Sequence, residues 1–318
     1  MGNATGRDLH IDQALSTMAI GYRPEGFIAD MLFPTVRVQK QSDVYHIFSR
    51  ADRLRNEKTT RAPGTLARRV GEDVSSATFY CQNYALAGSV PIEDKANADP
   101  LLVNQLHNGK AQFLLDKLLL DWEIRVSSMV TSTSNVGSSS AVTSAWNGAG
   151  DPIGDVETAI DNVRYSNGIL AAGLTICMGD EAWTSFRRDS NVRNKIFGNN
   201  NGGGYPSEAQ VADLLGVKRI IVGGAFQNTG EEGLAESLST IWKDHVLVYY
   251  APDSPSVDKP SFGYNFRWAA AGLPNMQVER HPWDSRRKAE DIEVGYYQDE
   301  KLTSASHGFL LTAVNSST

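Results

Sequence analysis

The residues able to do chemistry are few, and they stand far apart along the 318 positions of this chain. The six histidines (His10, His46, His107, His245, His281, His307) include no pair at helical metal-binding spacing. Cys81 and Cys177 lie in separate apolar, strand-like stretches, which predicts two reduced, buried thiols and no zinc site. Gly137-Ser138-Ser139-Ser140-Ala141 lacks the second glycine of a nucleophile elbow. Asn199–Gly204 is glycine-rich but lacks the Gly-Lys-Ser/Thr ending that holds a phosphate and its metal, so a surface loop is expected there. The carboxylates Glu231-Glu232 and Asp291/Glu293 sit in solvated contexts, and Glu123, beside Trp122, is expected in an ion pair or on a solvated helix face. The pattern predicts no catalytic, cofactor-binding or metal-binding residue, no cofactor, and no enzyme.

The net charge is −7, and it is unevenly spread. Residues 1–100 hold 12 Lys/Arg against 12 Asp/Glu, leaving 18 against 25 in the rest. A mildly acidic body argues against a dedicated DNA-binding protein, which needs clustered cations. It is compatible with a container wall that holds double-stranded DNA weakly and non-specifically. Cations do cluster once: seven Lys/Arg and two acids fall within residues 50–69, including Arg50, Arg53, Arg55, Lys58 and Arg61. With almost no apolar content and a Pro63-Gly64 break, this segment cannot bury itself. Two readings stay open, a solvated loop or an arm reaching onto an acidic neighbour. No run approaches the roughly 18 apolar residues of a membrane span. The polar start, MGNATGRDLHIDQ, lacks the apolar core of a secretion signal, so the expectation is maturation in the cytoplasm and no membrane partner.

Four textures surround these residues. Residues 1–38 read as an arm, with a short helical piece near Asp12–Ile20 and an extended apolar run, Ile28 to Pro34, that should lie on something else. Val44–Phe48 and Thr78–Leu86 read as strands flanking the cationic segment. Residues 99–131 make the clearest helix, capped by Asp99 and opened by Pro100, about 45 Å long at 1.5 Å per residue. Leu115, Leu118, Leu119, Trp122, Val126 and Met129 recur at spacings of three and four, one apolar stripe for packing. Thr131–Gly150 reads as a loop. Residues 151–280 alternate helices and strands, with a capping box at Ser207/Gln210, and β texture returns at Ile292–Tyr296 and Phe309–Val314.

Several phrases in this order carry a resemblance: Ile28-Ala29-Asp30 with Phe33-Pro34, Val38-Gln39-Lys40-Gln41-Ser42 with Tyr45 and Phe48, and Arg61-Ala62-Pro63-Gly64. They continue through Tyr84-Ala85-Leu86, Val90-Pro91 and Asn97-Ala98-Asp99-Pro100 to the long helix with Glu123. The set, densest over residues 10–130, resembles the major capsid proteins of tailed bacteriophages and prophages. The resemblance implies the α+β Hong Kong 97-type capsid fold: an N-terminal arm (1–38), an extended β-hairpin loop (39–90), a peripheral domain with its spine helix (91–150), an α/β axial domain (151–280), and return strands (281–318), the last strand belonging to either domain. It implies a virion protein that assembles with itself as hexamers and pentamers into an icosahedral shell around double-stranded DNA, built in the host cytoplasm. Its further partners would be a separate scaffolding protein, a portal protein and a decoration protein. Arg50, Arg53, Arg55, Lys58 and Arg61 would make contacts between subunits. Some relatives crosslink through a lysine and an asparagine; here Lys58 alone lies between Lys40 and Lys95, and a non-covalent shell is expected. Two other readings are a nanocompartment of the encapsulin type, holding cargo protein, and a two-domain α/β hydrolase or binding protein.

Overall fold

A computed structural model of the chain describes residues 24–48, 52, 54–97, 103–198, 204–255, 260–269, 276–281, 283 and 288–316. The expected helical piece at 12–20, the cap at Asp99-Pro100, and Arg50 and Arg53 lie outside them.

Two sheets and one long helix organise the molecule. The first sheet is built on β13 (Ala289–Leu302), a 14-residue strand whose Ile292, Val294, Tyr296 and Gln298 are buried while their neighbours are half-buried. That two-residue period commits one face of the strand to a core. Along one edge β4 (Gln82–Pro91) pairs antiparallel with it, from Ala289↔Pro91 to Gln298↔Gln82. Along the other, β12 (Gln277–Arg280) and β11 (Gly263–Trp268) follow in succession, and β1 (Thr35–Val38) adds parallel to β11. After β4 come a short helix, α2 (Ile92–Asn97), and the spine, α3 (Val103–Val130), 28 residues long. The spine lies across β4 and β13 with Leu115, Leu118, Leu119, Trp122 and Val126 all buried. At its first turns Glu290 of β13 receives Lys95 at 2.5 Å and His107 at 3.1 Å, tying sheet, short helix and spine together.

The second sheet has the order β5 (Ser138–Ala141), β14 (Gly308–Thr312), β10 (Val246–Tyr250), β6 (Leu174–Gly179), β7 (Arg219–Gly223). Helices α4 (Pro152–Asn167), α5 (Asp180–Arg188), α6 (Ser190–Phe197) and α7 (Glu208–Leu215) accompany it, and the Ser207/Gln210 capping box opens α7. Its central strands are largely apolar because both faces are covered: β6 is buried throughout and β10 at all but its last residue. Ile176, Met178, Val246, Val248, Phe309 and Leu311 point into a core under the helices. The residues between them (Cys177, Leu247, Tyr249, Leu310) point the other way, into a core shared with the spine, the first sheet and the segment 28–33. One sheet therefore divides two cores and belongs to both. A small hairpin, β8 (Phe226–Asn228) with β9 (Leu238–Thr240), projects after β7.

Four expectations need correction. Residues 28–33 are not an extended piece awaiting a partner: Ala29–Leu32 form a helical turn, α1, and Ile28, Leu32 and Phe33 are buried within the chain. The strand expected over 78–86 is two strands broken at Cys81, a buried residue whose N–H donates to Gln41 O at 2.8 Å as the chain crosses between sheets. The stretch 131–150 is not all loop, because Ser138–Ala141 pairs with β14. Residues 263–268 and 277–280, read with the α/β stretch, instead pair with β13, which is long enough to need partners along both edges.

The spine's two faces make distinct predictions. Leu118→Ala should cost about 2–5 kcal/mol by opening a cavity in the shared core. Lys117→Ala, on the exposed face, should leave denaturant unfolding of the free subunit nearly unchanged. Equal losses from the two variants would refute this placement of the buried face.

Candidate functional site

The cationic segment is held at its two ends by a hairpin. Strand β2 (Ser42–Phe48) pairs antiparallel with β3 (Val74–Tyr80), from Ser42↔Tyr80 to Phe48↔Val74. A two-stranded ribbon is marginal alone, so its stability comes from its base. There Phe79 stacks on Phe266 with ring centroids 4.6 Å apart, and Tyr45 lies 5.5 Å from the same ring. Tyr80 N–H donates to Asp299 Oδ2 at 2.8 Å. Burial pushes the Asp299 pKa up, and that hydrogen bond draws it part of the way back. Beyond the base the ribbon is open, with Val44 and Val74 exposed.

Between the strands, residues 54–73 are exposed almost throughout. Some charges are spent within the segment: Arg55 lies 3.5 Å from Asp52 and Arg68 3.1 Å from Glu57, while Asp52 also accepts from Asp73 N–H at 3.0 Å. Lys58, Arg61 and Arg69 are exposed and meet no carboxylate among the described residues. Leu66, at 97% exposure, and Val70, at 65%, sit among them without a core. The structure thus leaves Arg55, Lys58 and Arg61 exposed. It places Leu115, Leu118, Leu119, Trp122 and Val126 in the interior.

Glu123 is the group that the sequence reading misjudged. It is 1% exposed, and its partners among the described residues are N–H donors, not a cation. Oε1 accepts from Ile28 N–H at 2.9 Å and from Trp242 Nε1–H at 2.7 Å, while Oε2 accepts from Ala29 N–H at 2.8 Å. Burial pushes its pKa up, and the three donors pull against that shift. An acceptor-only carboxylate answers all three donors, which a neutral amide cannot do. Trp242 reaches it because β7 ends in Gly223, where a Cβ would stand 2.3 Å from the indole ring. The signal in the sequence was an acid embedded in an apolar helix face beside a tryptophan. The donors could not be read, being backbone groups and a side chain 119 positions away.

The remaining reactive groups are dispersed. Burial pushes the Cys81 thiol up to about 11 and the Cys177 thiol higher still, and both are free and buried. Among the described residues no group of three or more His, Cys, Asp or Glu is placed to hold a metal. His107 and His281 each face a glutamate, at 3.1 and 3.0 Å, and His307 Nδ1 lies 2.7 Å from Ser304 Oγ. No helix among the described residues is long and apolar enough to cross a membrane.

No family model matches the chain. The major capsid protein of Pseudomonas phage JBD67 is 25% identical over 310 residues, covering 94% of this chain and 95% of that one. Among solved structures, a phage-related protein from Bordetella bronchiseptica aligns with a TM-score of 0.72 and 23% identity, over 96% of this chain and 98% of that one. The capsid structure of cyanophage P-SCSP1u aligns with a TM-score of 0.58 at 12% identity, over 90% and 87% of the two chains. The α+β architecture is the Hong Kong 97-type fold, and the chain is similar along most of its length to phage major capsid proteins.

Two measurements probe the interior anchors. Glu123→Gln keeps one acceptor oxygen but turns an NH2 toward a backbone donor, so it should cost about 1–3 kcal/mol in thermal unfolding, and Glu123→Ala more. An unchanged Glu123→Gln subunit would remove the anchor role. At Glu290 the Lys95 ammonium, aided by His107, holds the carboxyl below its ordinary value of 4.5. A depressed carboxyl contributes stability above its unfolded pKa and loses it as the pH falls through the folded value. The stability gap between wild type and Glu290→Gln should therefore narrow as the pH is lowered from neutral to below 4.5, and a gap independent of pH would contradict the assignment.

Proposed function

We propose that this chain is the major capsid protein of a tailed bacteriophage, a structural subunit that assembles with copies of itself, as hexamers and pentamers, into the icosahedral shell of the virion. One observation carries the reading: a hairpin anchored at its base carries an exposed, cationic segment for which the described residues supply no core. Ordering such a segment costs roughly 1–2 kcal/mol per residue of backbone entropy, a cost that contacts in a symmetric assembly can offset. The likeness to phage capsid proteins over most of the chain supports the same conclusion.

In this reading residues 1–38 are the arm and the hairpin is the extended loop. Sheet membership divides the rest: the spine and the β13 sheet form the peripheral domain, and the β5–β14–β10–β6–β7 sheet with its helices forms the axial domain, the last strand included. The role is structural and needs no cofactor. Double-stranded DNA is enclosed non-specifically, consistent with a net charge of −7. A separate scaffolding protein guides assembly in the host cytoplasm, a portal protein joins the shell, and a decoration protein completes its surface. Arg50, Arg53, Arg55, Lys58 and Arg61 make contacts between subunits.

Purified protein should form closed shells or sheets of hexamers and pentamers by negative-stain microscopy. Exposed ion pairs are worth only about 0.2–1 kcal/mol each, but they recur in every copy, so Arg55→Glu/Arg61→Glu should lower particle yield severalfold and leave the circular dichroism of the subunit intact. Boiled particles should run as a single monomer band on a denaturing gel. Normal particles from the double variant would defeat the loop's role, and a ladder above the monomer band would refute the non-covalent shell.

A further inference from the structure

We infer that the hairpin of β8 and β9 is the acceptor for the cationic segment of a second copy of this chain. The inference rests on the shell reading and names the surface that the projecting loop meets. Residues 229–237, Thr-Gly-Glu-Glu-Gly-Leu-Ala-Glu-Ser, carry three carboxylates and no cation. Glu231, Glu232 and Glu236 are exposed and have no cationic partner among the described residues. Phe226, Leu234 and Leu238 are each more than half exposed around them. The tip is shaped in advance: Asn228 Oδ1 accepts from Gly230 N–H at 3.0 Å and Ser237 N–H at 2.9 Å, and Thr229 N–H donates to Ser237 O at 2.8 Å.

The cationic segment is its counterpart in each respect. It offers Lys58, Arg61 and Arg69 where the hairpin offers three glutamates, and Leu66 and Val70 where the hairpin offers Leu234, Leu238 and Phe226. Apolar contact between the two would exclude water and strengthen the charge pairing at its rim. Within one chain the two surfaces do not neutralise each other, since all six charges stay unpaired among the described residues. Donor and acceptor lie at different places on the same subunit, so their union is a head-to-tail contact, the kind that builds a ring where its rotation closes.

Three variants test this: Lys58→Glu/Arg61→Glu/Arg69→Glu, Glu231→Lys/Glu232→Lys/Glu236→Lys, and the two combined. Shell yield is read by sedimentation and microscopy, with circular dichroism and thermal unfolding of the free subunits as the check on folding. Each one-sided variant should lower shell yield on the order of tenfold, because a weak contact is repeated through the assembly. The combined variant, with charges exchanged, should recover toward wild type. If the lysine variant of the hairpin misfolds, the triple Glu→Gln variant reads the same contact with a smaller loss. Loss on the cationic side with normal shells from both hairpin variants would overturn this acceptor and leave the shell reading intact. A combined variant as poor as either half would also overturn it. Wild-type protein that forms neither shells nor sheets would bring down the shell reading, and this inference with it.

Discussion

A buried carboxylate accepting three hydrogen bonds holds the molecule's parts in relation. Isolating a charged group from water is costly unless every lone pair is answered, and removing one partner of such a group costs more than the contact it made. Glu123 is answered by the backbone at Ile28 and Ala29 and by the indole of Trp242, which follows the β8–β9 hairpin. The spine, the segment at Ile28 and Ala29 and the loop that leads from β9 into β10 thus meet at one point with directional bonds. Apolar packing alone would tolerate sliding of the helix along its partners; a carboxylate with three fixed donors does not.

Around that point, the second sheet makes the arrangement rigid by serving two cores. Successive residues on β6, β10 and β14 face opposite ways, so a helical layer is packed on one side and the spine on the other. A side chain in a close-packed interior has little room to shift, and strain on one face is passed to the other. The long strand β13 works in the same sense at larger scale. It pairs with β4 on one edge and with β12 and β11 on the other, so that segments distant in sequence share one backbone ladder.

The projecting hairpin depends on this rigidity. Its base is clasped by Phe79, Tyr45 and Phe266 and by the Asp299–Tyr80 hydrogen bond, all on or against the β13 sheet. The segment beyond has charge and exposed apolar groups but no interior of its own. A rigid body carrying an incomplete surface suits a part that is finished only by its neighbours, as in a shell whose contacts are individually weak and many times repeated.

Much of this was legible in the sequence, and the reason is locality. The spaced Leu115, Leu118, Leu119, Trp122 and Val126 show a one-sided helix because the period of the helix is written directly into the chain. The cation-rich, apolar-poor stretch of residues 50–69 is recognisable as unable to bury itself from composition alone. The Ser207/Gln210 cap is a contact between residues three apart. What only the tertiary structure decided involves partners far apart in sequence. The break at Cys81 comes from a change of sheet, not from any breaker residue. The pairing of β5 with β14, and of β11 and β12 with β13, joins segments whose own patterns name no partner. Glu123 is the plainest case: a lone acid in a helix reads as solvated, because water is the default partner of a charge. Only the folded chain brings three donors to it, two of them backbone groups whose availability no residue type reveals.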